Sequence, residues 1–114
     1  MAAAAFTYSE PFRVSLGGRF FTMTTVTVEA TNEEYVAKGI PISYEKLGLP
    51  DALVDSIFAP AGLLDEKNEK QYDVAIIKEK MVLIASGKEK EFNVELAANT
   101  KLAKYSAMVV ALGR

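Results

Sequence analysis

Apolar and polar positions alternate with a period of two along much of this chain, and no stretch sustains the longer helical period. Residues 19–30, RFFTMTTVTVEA, set Thr22, Thr24, Val26 and Val28 on one side and Phe21, Met23, Thr25 and Thr27 on the other. Dense β-branched and aromatic side chains suit a pleated surface. With no charge between Phe20 and Val28, both sides are fit to be covered. The preceding RVSL ends in Gly17 and Gly18. Two glycines supply the positive φ of a two-residue turn, so a hairpin is predicted there. QYDVAII and MVLIAS, parted by Lys78, Glu79 and Lys80, read as a second hairpin in which Tyr72, Val74 and Ile76 alternate. EFNVEL sets Phe92, Val94 and Leu96 against Asn93 and Glu95. Residues 53–58 read as a strand stopped by Pro60 and Gly62, residues 63–70 as a mixed-charge loop, and residues 97–104 as a loop or helical turn. YSAMVVAL is the last strand, ended by Gly113.

Residues 35–50, YVAKGIPISYEKLGLP, fit neither period. Ser43 can cap a single helical turn over residues 44–47. Gly48 suits the left-handed residue that closes such a turn, and Pro50 forbids its continuation. Ile40, Ile42, Leu47 and Leu49 are then free to plug one end of a sandwich, which makes the stretch a stiff crossover between sheet edges. Residues 1–12 read as an arm: four alanines, too few to hold a helix, then Phe6, Tyr8 and Phe12 around Pro11. Such an arm is expected to order only against a partner, with its aromatics as anchors. The expected fold is all-β: one antiparallel β-sandwich or small barrel, jelly-roll-like, over residues 13–114, with one short helical turn and the extended N-terminal arm. Its core is expected to include Val26, Val28, Ile42, Leu47, Leu49, Ile57, Val74, Ile76, Leu83, Phe92, Val94, Val109 and Leu112.

Composition narrows the function. The chain has 114 residues, a net charge of -2, and neither Cys nor His. That length is enough for one core without disulfides. Without Cys or His, a thiolate zinc site, a Ser-His-Asp triad and a Cys-His pair are impossible within the chain. Nucleic acid is not an expected partner, since phosphate binding needs a clustered basic excess. A membrane is not expected either, because apolar runs such as MVLIA and MVVAL fall far short of a span. The start, MAAAAFTYSE, lacks the basic and apolar regions of a signal peptide. Paired carboxylates could in principle hydrolyse a glycoside, but the acidic residues sit in mixed-charge segments such as DEKNEK and GKEKEF, which read as solvated faces. No catalytic residue, metal ligand or cofactor is assigned.

The order of turn residues carries a resemblance. Gly17, Gly18 and Arg19, then Tyr35, Gly39, Pro41, Ser43 and the Leu47-Gly48-Leu49 triplet, then Tyr72-Asp73 and the closing Leu112-Gly113-Arg114, resemble the head decoration, or cement, proteins of tailed bacteriophages. The resemblance spans about residues 13–114, and Lys38 stands where that family's turn usually carries a second glycine. It implies a non-enzymatic virion protein, made in the bacterial host cytoplasm, that binds the outer surface of the capsid and ties major capsid protein subunits together. A homo-oligomer, a trimer above all, is the implied form. Candidate contact residues are Phe6, Tyr8, Phe12, Tyr35, Lys38, Tyr44 and Pro60. A tail or head-to-tail connector component, and a small-ligand β-barrel, are the alternative expectations.

Overall fold

The computed structural model describes residues 2–28, 33–86 and 93–114. The chain opens with β1 (Ala2–Ala3) and β2 (Phe6–Tyr8), then turns through the hairpin of β3 (Phe12–Leu16) and β4 (Arg19–Val28). Two short strands, β5 (Glu33–Glu34) and β6 (Ile40–Pro41), lead into the crossover turn, and β7 (Val54–Phe58) and β8 (Leu63–Leu64) leave it. β9 (Lys70–Ile77) and β10 (Lys80–Ser86) form the second hairpin, followed by β11 (Asn93–Glu95), β12 (Lys101–Leu102) and β13 (Tyr105–Gly113). Among the described residues there is no α-helix.

Both hairpins turn where the chain punctuates. Leu16 faces Arg19 across Gly17 and Gly18, at φ of 54° and 89°. This pair of positive angles gives a turn whose twist matches the strands on either side. Ile77 faces Lys80 in the same way, although Lys78 and Glu79 adopt φ of 52° and 59° without glycine.

The large sheet runs β11-β10-β9-β8-β13-β4-β2, with β3 also on β4, β7 on β13 and β6 on β10. It curls nearly into a barrel. The longest seam joins β13 to β4, from Tyr105 opposite Val28 to Gly113 opposite Phe20. A second, small sheet runs β1-β5-β12, and Leu102 of β12 is buried in the same core. Inside sit Val26 and Val28 of β4, Ala107 and Val109 of β13, and Met81 and Leu83 of β10, all buried. Tyr72, Val74, Ile76 and Ile57 are half-buried against them. The crossover plugs this interior as expected, with Ile40, Ile42, Leu47 and Leu49 all buried.

The plug is held by its own backbone. The Lys46 N–H donates to the Ser43 hydroxyl at 3.2 Å, which is the expected cap. At the other end the N–H of Gly48 donates to the Glu45 carbonyl (3.0 Å) and that of Leu49 to the Tyr44 carbonyl (3.2 Å). This doubled closure needs a left-handed residue, and Gly48 supplies it at φ 97°. The Thr24 hydroxyl, itself buried, donates to the Leu47 carbonyl at 3.2 Å and so ties the turn to β4.

Four readings change. Residues 2–12 are largely extended, as expected of an arm, but they lie along their own sheets. β2 pairs with the end of β4 (Phe6 opposite Val28, Tyr8 opposite Val26), Ser9 bonds to Thr25 in both directions, and Ala4 is buried. Residues 63–70 are not wholly loop, because Leu63 starts β8 opposite Tyr72 and is fully buried. Residues 97–104 include β12, where Leu102 is buried. Leu112 is half-buried and shares a face with Phe21, outside the barrel, so it does not belong to the core. Of the remaining expected core residues, Phe92 and the side chain of Val94 fall outside the described residues.

Candidate functional site

Opposed residues in an antiparallel pair point their side chains to the same face. The register therefore draws a row across four strands: Phe12 of β3 is opposite Met23 of β4, Met23 is opposite Val110 of β13, and Val110 is opposite Phe58 of β7. The next row is Val14, Phe21, Leu112 and Ser56. Met108, opposite Thr25, extends the surface at one end, and Leu16, opposite Arg19, extends it at the other. The reverse sides of β4 and β13 carry Thr22, Thr24, Val26, Ala107, Val109 and Ala111 inward, all buried. Rows of the first kind therefore face out.

That outer face is apolar and largely bare. Phe12 is 58% exposed and Phe58 50%, with Leu16, Val14 and Met108 also exposed. These five stand among seven large hydrophobic side chains exposed in the described residues, so the exposed apolar surface is gathered here rather than scattered. A polar rim bounds it. Arg19 Nε pairs with Asp55 Oδ2 at 2.5 Å at the hairpin end, while Thr27 and Ser106 lie opposite one another at the far end. Every residue of β3 is exposed, so the hairpin stands proud of the barrel. On its reverse side the Arg13 guanidinium lies 4.5 Å from the centre of the Phe20 ring.

A second cluster joins residues far apart in sequence. β6 pairs β10 at Lys80 and Met81, and β11 pairs it at Ile84, Ala85 and Ser86, which leaves Leu83 in the gap between them. The Tyr35 hydroxyl fills the gap by accepting from the Leu83 N–H at 3.2 Å. The same hydroxyl donates to Glu95 Oε2 at 2.6 Å, and that oxygen also accepts from the Lys38 N–H at 2.6 Å. Burial, then the hydrogen bond to Glu95, pushes the Tyr35 pKa up to about 12. The hydrogen bonds from Tyr35 and Lys38 hold the Glu95 carboxyl below its ordinary range. At neutral pH the phenol stays protonated and the carboxylate ionised. The pair is thus a fixed donor and acceptor, a latch between β5, β10 and β11.

The contact residues expected from sequence divide between these places. Phe12 lies on the outer face, and the exposed Pro60 lies just past the β7 end of it. Tyr35 and Lys38 belong to the latch, and Tyr35 is 1% exposed, so it is no surface anchor. Phe6 and Tyr8 pack on their own core instead of reaching outward. The Tyr8 hydroxyl accepts from the Ser43 N–H at 2.9 Å, and Lys46 Nζ lies 5.4 Å from the centre of its ring. Tyr44 is half-buried, and its hydroxyl accepts from the Glu79 N–H at 3.0 Å. Sequence reasoning missed Val14, Leu16, Phe58 and Met108. The available signal was the absence of charge on either side of residues 20–28, which marks a second covered face.

No protein-family model, curated protein or solved structure matches this chain.

Proposed function

We propose that the chain is a non-enzymatic structural subunit of a virion, a decoration protein that binds the outer surface of a tailed-phage capsid. It acts as a homo-oligomer and ties neighbouring major capsid protein subunits together. The observation that carries this reading is the bare apolar face on β3, β4, β13 and β7. Contiguous apolar surface beyond a few hundred Å² marks a place where another molecule sits. A protein built to assemble has a use for such a face, and a barrel that only encloses its own core has none. The resemblance of the turn residues to phage cement proteins supplies the setting. In that setting several copies gripping several shell subunits gain avidity without a large contact at each. Binding the assembled shell and not its free subunits stabilises the shell by mass action.

The test is co-sedimentation of the purified chain with shells of the phage that encodes it, prepared without it. Saturable binding in a simple ratio to the shell protein, with the shells surviving a higher temperature, is expected. Shells that neither take up the chain nor gain heat resistance would sink the proposal.

A further inference from the structure

We infer that the outer face of β3, β4, β13 and β7 is covered by the same face of a second copy of this chain, the two sheets stacking about a two-fold axis. The inference does not depend on shell binding and concerns the free protein.

Three observations favour a second copy over another occupant. The first is charge. The side chains of the face are apolar apart from the uncharged Thr25 and Ser56, and its ion pair, Arg19 with Asp55, is already closed within the chain at its edge. A face without net charge offers nothing by which an acidic or basic partner would be selected, and it meets its own copy without like-charge repulsion. The second is shape. Phenylalanines protrude at both ends of the row, Phe12 on β3 and Phe58 on β7, while Met23 is half-buried and Val110 buried between them. With the two copies offset by one strand about the two-fold axis, the raised Phe12 of each falls on the low Val110 of the other, so that a ring meets a hollow. Sheets that stack face to face do so with inner side chains interdigitated over about 10 Å.

The third is area. Phenylalanine exposes roughly 200 Å² when bare, so the five exposed side chains leave on the order of 450 Å² of apolar surface uncovered in each copy. With the half-buried Phe21, Met23 and Leu112 included, two copies would remove roughly 1,000 Å² or more from water, the least that a specific interface needs. A two-fold pair uses one patch twice, whereas a three-fold ring needs two different patches that fit each other. One such face satisfies the first condition. The trimer implied by the resemblance would therefore have to be built from another surface.

Sedimentation velocity of the purified chain across a concentration series, with variants Phe12→Asp, Phe58→Asp and Ile77→Asp, tests this. Ile77 is exposed to a similar degree (55%) but lies at the end of β9, off the face. The parent and Ile77→Asp should sediment as dimers at micromolar concentration. Phe12→Asp and Phe58→Asp should each weaken self-association at least about tenfold and retain the β-rich circular dichroism of the parent. A parent that is monomeric at about 100 µM overturns the inference, whatever the variants do. So does a trimer, or a dimer that Ile77→Asp dissociates as readily as the phenylalanine variants. A monomeric parent whose Phe12→Asp variant loses shell binding would assign the face to the shell. That outcome overturns the self-pairing and leaves the decoration role standing.

Discussion

Replacing Tyr35 with Phe removes one oxygen atom and leaves the ring in place, so it isolates what that hydroxyl does. In the folded chain the oxygen has two partners of unequal importance. The Leu83 N–H is a strand amide stranded between β6 and β11, and the side chain of Leu83 is fully buried. Without the phenol this donor has no replacement from the ladder, and a buried unpaired amide costs about 1–3 kcal/mol. Glu95 is exposed, keeps the Lys38 N–H, and recovers water on its free side, so its share of the loss is small. Tyr35→Phe should therefore lower stability by about 1–3 kcal/mol. For a domain of this size that is a fall in Tm of roughly 4 °C per kcal/mol. Glu95→Gln keeps an acceptor for both donors and should cost much less. Urea unfolding of the parent and the two variants, followed by circular dichroism, measures all three together. If Tyr35→Phe stays within about 0.5 kcal/mol of the parent, the gap-filling role is wrong. If Glu95→Gln matches the loss of Tyr35→Phe, the carboxylate carries the latch and the amide does not.

Further outcomes follow from the same geometry. The Tyr35 pKa rises to about 12 in the fold from an ordinary 10.0, so its contribution to stability is whole below pH 10 and declines as pH rises through 12. Tyr35→Phe should flatten part of that alkaline loss in melting curves taken from pH 8 to 12; the rest remains, because burial also raises Tyr8 and Tyr72. Leu47→Ala empties a fully buried site in the plug and should cost about 2–5 kcal/mol by urea unfolding. Leu83→Asp places an unpaired charge in the core and should abolish soluble expression, since that cost rivals the whole stability of a small domain.

How far the sequence could be read depended on where specificity is local. The first hairpin was legible because Gly17 and Gly18 admit few other turns, and the crossover was legible because Ser43, Gly48 and Pro50 punctuate a single turn. Two-residue strands give no period, so Leu63 and Leu102 looked like loop residues although their pairing to Tyr72 and Glu33 buries them. Tyr35 resembled a surface aromatic beside turn residues. Its burial depends on Leu83 and Glu95, 48 and 60 positions away, and no local pattern encodes that. The outer face was hidden for a related reason. YSAMVVAL is apolar at nearly every position, so only its register with β4 and β7 reveals that Met108, Val110 and Leu112 point away from the core.

The proposed role in a virion is tested most directly by counting. Quantitative mass spectrometry of purified particles of the phage that encodes this chain gives its copy number relative to the major shell protein. A decoration protein is present in hundreds of copies, in a simple ratio to the shell, and that is the result expected. About six or twelve copies per particle would instead indicate a connector or tail component, and particles that lack the chain altogether would contradict a structural role in the virion.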